Sequence, residues 1–545
     1  MGPRVLARVW QAFGMITRRI ALLGLAAGAV AAASGCTGSP SDGSASRSSG
    51  GTRGPSADAS PSTTGHRVAA NPGLASGVLP SVDAGALAVS RLVLAEATAV
   101  VVVQPAPATP SAPASPSTTA SPSAAPSPTP AAGGDVAAAA ATAAALGLPL
   151  LIAGPELAAE LDRLQTRTVI AYPAAGLDLG DREVIDGPAD PGAIQVEGLP
   201  VTTKPGGAAA MHLPGTQASP AVASILAAAG IALTEVPFAD PRATAESVAL
   251  VKGATGAVLG IGGFGDSARF AARVEAARTL PELPGGGVAP FPGRMMVALY
   301  GHPSGGTLGL LGEQGPAESV ARVQTIAAQY QAFSDVPVIG AFEIITTVAS
   351  ASAGPDGDYS YETPAEQLLP YIEAAEAAGL YCVLDLQPGH TDFLTQARRY
   401  EELLKRPTVG LALDPEWRLK PGQRHMTIIG QVSVEEVNAT GAWLADLVAA
   451  NGLPPKVLIL HQFQQRMIVG RERLDTSRDE IQYLVHADGH GNAPLKQETW
   501  RNLKEGLPAD VWLGWKNFID EDSPTMTPQE TMEDVEPRPN FVSYQ

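Results

Sequence analysis

The segment Val409–Trp417, VGLALDPEW, runs through five apolar or small residues and then delivers Asp414, Glu416 and Trp417 in quick succession. A short, unbroken apolar run closed by Pro415 has the pattern of a strand buried on both faces. Its polar exit has the pattern of a strand end that opens onto a site. Seven other segments repeat the design: RMMVALYGHP, PVIGAFEII, LYCVLDLQPG, KVLILHQF, IQYLVHADGHG, VWLGWKNFIDED and the terminal FVSYQ. Helical patterning fills several intervals, as in AESVARVQTIAAQYQAF, PAEQLLPYIEAAEAAG and SVEEVNATGAWLADLVAANG. Eight strands alternating with helices over residues 294–545 predict an α/β fold, a TIM-like (β/α)8 barrel, for which ~250 residues is typical. The alternative is an open doubly wound sheet, which eight strands would make unusually wide.

In such a barrel the strand bodies pack as apolar layers and polar side chains collect at the C-terminal rim. The predicted exits follow that rule. Tyr300 and His302 end the first strand, and Glu343 lies on the second. Asp385 and Gln387 end the third, with Asp414, Glu416 and Trp417 at the fourth. His461 and Gln462 end the fifth, Asp488 and His490 the sixth, and Lys516 the seventh, with Asp520 and Asp522 beyond. Asp414 and Glu416 are two apart, so an extended backbone would put them on one face. Charge gathered in this way is costly unless it is paired or at work. Ion pairs closing the barrel mouth, such as Lys516 with Asp385 or Asp414, are the structural alternative.

Carboxylates from different strands beside aromatic platforms are the parts of a glycosidase: an acid for the leaving oxygen and a second carboxylate as base or nucleophile. The segment resembles barrel glycosidases that place the acid/base after strand four, which implies Glu416 in that role. The nucleophile those enzymes carry after strand seven has no clear counterpart, because Lys516 holds the position. Asp488 or Asp414 is then the expected partner of Glu416. Tyr300, His302, Glu343, Asp385, Gln387, Trp417, His461, Gln462 and Lys516 are the expected substrate-binding residues. Trp515 reads as a wall residue or a second stacking platform. Two other chemistries remain open. HADGH sets His486, Asp488 and His490 at alternate positions, as metal ligands on one strand face would be, which would suit a metal-dependent hydrolase or phosphodiesterase. A serine hydrolase fits less well, since no G-x-S-x-G elbow occurs and Ser304 has only a loose glycine context. No metal or organic cofactor is called for. A non-catalytic barrel that binds glycan is the alternative to an enzyme.

The formal charge of the 545-residue chain is −18, and Lys and Arg form no cluster beyond the first twenty residues. Nucleic acid is therefore not an expected partner, since neutralising phosphates takes a basic face. TRRIALLGLAAGAVAAASGC joins Arg18 and Arg19 to a short apolar run and then to Cys36. It resembles a twin-arginine export signal ending in a lipobox, of the actinobacterial lipoprotein type. The resemblance implies that residues 1–35 are removed and that Cys36 carries the lipid that holds the protein to the outer face of the membrane. Only Cys382 then remains, so no internal disulfide is possible, and its apolar setting marks it as an inert thiol. Residues 36–81 read as a disordered Ser/Gly/Pro-rich tether.

Residues 82–285 read as a small parallel α/β, Rossmann-like domain, interrupted over 105–132 by a run of Pro, Ala, Ser and Thr alone. The flanks of that run predict a β-α-β unit with the insertion in its βα loop. GIGGFGD departs from the spacing of the dinucleotide fingerprint and reads as a turn. SRLVLAEATAVVVVQ and AAAAATAAALGLPLLIAGPELAAELDRLQTRTVIAY resemble a cell-wall-binding repeat of Gram-positive surface proteins, with Gly-Asp-Val at Gly134–Val136 where those repeats have Asp-Ala-Leu. The resemblance implies adhesion to cell-wall polysaccharide or peptidoglycan.

Overall fold

The computed structural model describes residues 66–104, 135–173, 176–188, 201–203 and 207–545. The expected export signal with Cys36, most of the expected tether and the expected insertion at 105–132 lie outside the described residues. His66–Gln545 form one compact unit. No helix among the described residues is long and apolar enough to cross a membrane.

The eight strand segments read from sequence close into a parallel barrel. Its strands are β1 (Met295–Gly301), β2 (Val338–Ala349), β3 (Tyr381–Leu386), β4 (Val409–Leu413), β5 (Lys456–Gln462), β6 (Ile481–Ala487), β7 (Trp512–Asn517) and β8 (Phe541–Tyr544). Each pairs in parallel with the next, and β8 pairs with β1 to complete the ring. Their bodies are almost wholly buried, which is why they read as continuous apolar runs rather than as alternating ones. One side of the wall faces a cylinder core containing Met296, Ala298, Val383, Ala412, Ile459 and Leu484, plugged from below by Leu283 and Phe291 of the preceding segment. The other side packs against helices such as Pro316–Gln331, Ala365–Ala377 and Val434–Ala450, in a larger core that includes Cys382 and Trp515. The barrel departs from ideal alternation after β5. There the connection among the described residues holds two 3-10 turns, Gln465–Met467 and Arg471–Arg473, in place of an α-helix.

Upstream, two four-stranded parallel sheets form. One orders Leu150–Ile152, Ala99–Val103, Thr168–Tyr172 and Glu183–Asp186; the other orders Ala232–Glu235, Ala209–His212, Val258–Ile261 and Gly77–Leu79. The predicted β-α-β unit is present. Ala99–Val103 lies beside Leu150–Ile152, and the helix Val136–Leu146 precedes the second strand, capped by the Asp135 carboxylate. GIGGFGD is a strand-to-helix turn, with Gly262 and Gly265 in the left-handed region and Asp266 capping the next helix.

One expected boundary moves. The tether was expected to run to residue 81, yet Arg67–Ala70 and Gly77–Leu79 are strands. The first pairs antiparallel with Leu94–Ala97 and parallel with Val201–Thr203, and the second adds to the edge of Val258–Ile261. Strands of three or four residues in a Gly- and Pro-rich context carry too little periodicity to be seen in sequence. Their partners lie up to about 180 positions away, as the bond from Val258 N–H to Ser76 Oγ illustrates.

Candidate functional site

The mouth of the barrel is built from the last inward-facing residue of most strands. In β1 the inward positions are Met296, Ala298 and Tyr300, and in β5 they are Val457, Ile459 and His461, so each strand passes from apolar to polar as it rises. Tyr300, Glu343, Asp385, Asp414, His461, His486 and Lys516 are all buried.

His461 is the hub. Its Nε2 lies 2.8 Å from Glu343 Oε1, and its Nδ1 lies 3.0 Å from Asp488 Oδ2. The other oxygen of Asp488 lies 3.1 Å from Lys516 Nζ. That ammonium also sits 3.6 Å from the centroid of the Tyr300 ring, and the Tyr300 hydroxyl donates to Asp385 Oδ2 at 2.9 Å. Gln387 donates in turn to the Tyr300 oxygen at 3.3 Å. His486 stacks on His461 with ring centroids 5.0 Å apart, and its Nε2 lies 2.9 Å from Ser543 Oγ on β8.

These contacts sort the acids into two groups. Burial opposes ionisation of Glu343 and Asp488, but His461, and for Asp488 also Lys516, outweigh it and hold both below the ordinary carboxylate range. His461 is raised well above an ordinary imidazole, against its own burial, by Glu343 and Asp488. It is therefore a buried imidazolium whose two N–H groups both donate. Lys516 is likewise raised, chiefly by Asp488 against burial. Asp385, Asp414 and Glu416 go the other way. Burial lifts Asp385 to about 6, and burial with the charge of Asp488 lifts Glu416 to about 8. Asp414 is raised well above its usual range by burial, then by Glu416 and Asp385. His486, buried and beside the imidazolium, falls to about 3 and stays neutral. Glu343 Oε2, Asp385 Oδ1, Asp414 Oδ1 and His486 Nδ1 are buried without a hydrogen-bond partner. Such atoms are costly to leave so.

The strand-four exit reaches the cluster by a different backbone from the one expected. Pro415–Trp417 is a 3-10 turn rather than extended chain, so Asp414 and Glu416 do not share a strand face. Asp414 stays buried, whereas Glu416 is only partly so; Asp488, two strands round the ring, keeps slight exposure. Trp417 packs edge-on against His425 at 5.2 Å, and Tyr359 packs against His390 at 5.1 Å and His425 at 6.4 Å. Three loops, after β2, β3 and β4, thus build an aromatic rim beside Glu416. Trp417 Nε1 and His425 Nδ1 are buried there without a partner.

Not every expected residue joins the cluster. Gln462 follows His461 directly, so the pleat turns it to the opposite side. Its amide engages the Gln464 and Gln465 carbonyls and Arg471, outside the mouth. His302 lies past the end of β1, with Nε2 on Thr363 and Nδ1 on Ser304, and burial alone lowers it to about 4. Asp522 is tied to Lys496 and to the backbone of Gly491 and Phe518, so it braces the loop after β7. Trp515 packs edge-on against Trp500 in the outer core. The three alternating residues of HADGH do not converge: His486 meets Ser543, Asp488 meets His461 and Lys516, and His490 packs on Phe518 at 5.7 Å. Among the described residues, the group of His, Cys, Asp or Glu with ligand atoms all within 4.8 Å of one another is Asp356, Asp358 and Glu362, in the connection after β2, where Ser360–Glu362 is a short strand. Sequence reading missed Ser543, Tyr359 and His425. Ser543 has no distinguishing context, and the other two sit in loops of low periodicity. No protein-family model, curated protein or solved structure matches the chain.

Proposed function

We propose that the barrel is a glycosidase-like hydrolase of a cell-envelope polysaccharide, carried on a lipid-anchored exported protein. The observation that carries the reading is the divergence of two rim carboxyls, Glu416 raised to about 8 and Asp488 held ionised. Two acids pushed apart by their surroundings are what acid and charge-stabilising roles require. Glu416, still protonated at neutral pH, gives its proton to the glycosidic oxygen as that bond breaks. Asp488, anchored by His461 and Lys516, faces the positive charge that develops on the sugar. A carboxylate held so firmly ionised is a weak base, so its role is electrostatic stabilisation more than proton abstraction. Water then adds its hydroxyl to the anomeric carbon and its proton returns to the Glu416 carboxylate, which restores the acid. Asp414, whose carboxyl burial holds well above its usual range, is the other candidate for the partner role. Trp417 and Tyr359 offer ring faces for the sugar.

The export signal, the lipid on Cys36 and wall adhesion through a repeat-like, Rossmann-like region at 82–285 are the rest of this proposal, and they rest on the sequence resemblances.

A second reading, a barrel that binds glycan without cleaving it, is favoured by one observation. Asp488 is already engaged on both oxygens, and the Glu343–His461–Asp488–Lys516 chain is almost closed to solvent. Sugar release from purified wall polysaccharides by the intact protein, assayed beside Glu416→Gln, separates the two. Release that the substitution abolishes supports the hydrolase. Glycan binding by both proteins, with release by neither, supports the second reading.

A further inference from the structure

At the opposite end of the barrel from the mouth, the upstream α/β region docks on the N-terminal ends of β6 and β7. Asp479, just before β6, is clasped there by arginines. Arg273 donates to it at 2.7 Å and Arg269 at 2.9 Å, while Arg242 Nη2 lies 3.6 Å away. Arg242 is itself paired bidentately with Asp240 at 2.8 and 3.0 Å. Beside this clasp lies a cleft of about 550 Å³, walled by Trp512, Phe291 and Tyr483 and edged by Arg269, Arg273 and Arg538.

Three features point the same way. The volume falls within the range of small-molecule sites, which often form between domains. One wall is aromatic, with Phe291 and Trp512 rings 5.6 Å apart. The charge is the reverse of the molecule's own: four arginines meet three aspartates in a chain of net charge −18. Two of the four are not fully engaged. The Nη1 edge of Arg269 has its nearest carboxylate, Asp510, at 3.8 Å. The half-exposed Arg538 reaches, among the described residues, Asp335 at 3.9 Å and the Phe333 carbonyl at 3.4 Å. Both ion-pair distances are long for hydrogen bonds, and both side chains border the cleft. A guanidinium with a free edge is matched to a planar or tetrahedral oxyanion.

We infer that this cleft binds a small molecule joining a flat apolar ring to a carboxylate or phosphate, the ring lying against Trp512 and the oxyanion on Arg538 and Arg269. The site lies on the face away from the proposed chemistry and spans both parts of the fold. Occupancy therefore ties the upstream region to the barrel and does not feed the mouth.

The test titrates the intact protein with phenyl phosphate, benzoate and the neutral control phenol, following tryptophan fluorescence and calorimetric heat. Saturable binding of phenyl phosphate or benzoate is expected, with phenol weaker by about tenfold or more. The tighter of the two anions names the oxyanion. Arg538→Gln, at an exposed position with loose contacts, is expected to weaken binding about tenfold while the melting temperature holds. Trp512→Phe is expected to remove the fluorescence change and keep the heat. No saturable binding of either anion, or binding untouched by both Arg538→Gln and Arg269→Gln, overturns the assignment.

Discussion

His461 Nε2 lies 2.8 Å from Glu343 Oε1 across the inside of the barrel, with both side chains fully buried. The imidazolium also holds Asp488, so one positive charge serves two carboxylates from different strands. Removing one partner from such a pair leaves the other charged and dry. His461→Ala is therefore expected to lower unfolding stability by about 3–5 kcal/mol. Urea denaturation at pH 7 measures it, and a loss below about 1 kcal/mol would mean the pair is not charged as described.

The raised acids make stability depend on pH in a definite direction. Glu416 titrates near 8 in the folded protein against an ordinary value of 4.5. Between those values the unfolded chain ionises it and the native state does not, so stability falls as pH rises from about 4.5 to about 8. Glu416→Gln removes this contribution. Its denaturation midpoint is expected to match or trail the parent at pH 5 and to exceed it at pH 8. Midpoints that stay parallel across that range would contradict the shift.

The clasp below the barrel behaves oppositely. Asp479 is held far below the usual carboxylate range, since its arginines outweigh its burial. Its stabilisation is present above an ordinary aspartate value of 3.8 and is lost as pH falls through the depressed one. Asp479→Asn keeps the shape, removes the charge and leaves Arg242, Arg269 and Arg273 converging on a neutral group. A loss on the order of 3 kcal/mol at pH 7 is expected, shrinking as the pH is lowered.

Gly441 sits inside the helix Val434–Ala450, where alanine would ordinarily gain about 1 kcal/mol. A methyl group there would lie 2.1 Å from the hydroxyl of Tyr483, a buried ring with little room to retreat. Gly441→Ala is expected to lower stability by about 1–3 kcal/mol despite the better helix former. A raised melting temperature would show that the packing yields.

The barrel was legible because parallel strands buried on both faces write themselves as unbroken apolar runs such as Val409–Leu413, with a polar residue where each emerges. The alternation of the pleat then separates His461, which faces inward, from Gln462, which does not, so only the first of this adjacent pair belongs to the mouth. The missing helix after β5 left no mark, because residues 465–473 are neither strongly periodic nor rich in breakers. Nor does a sequence reveal that Asp479 will meet arginines some 206 to 237 positions upstream. Such long-range ion pairs have no local pattern. The pairing of Lys516 with Asp488, in place of Asp385 or Asp414, is set by which strands adjoin: β6 and β7 are neighbours, whereas β3 and β4 lie across the cylinder.

The proposed proton transfer from Glu416 to a glycosidic oxygen ties sugar release to the ionisation of one carboxyl. Its most direct test is the rate of sugar release from purified cell-wall polysaccharide as a function of pH. Release is expected to decline above about pH 8 as Glu416 ionises, and to drop by a factor of about 100 or more in Glu416→Gln. Release at equal rates from both proteins, with the same pH profile, would contradict it.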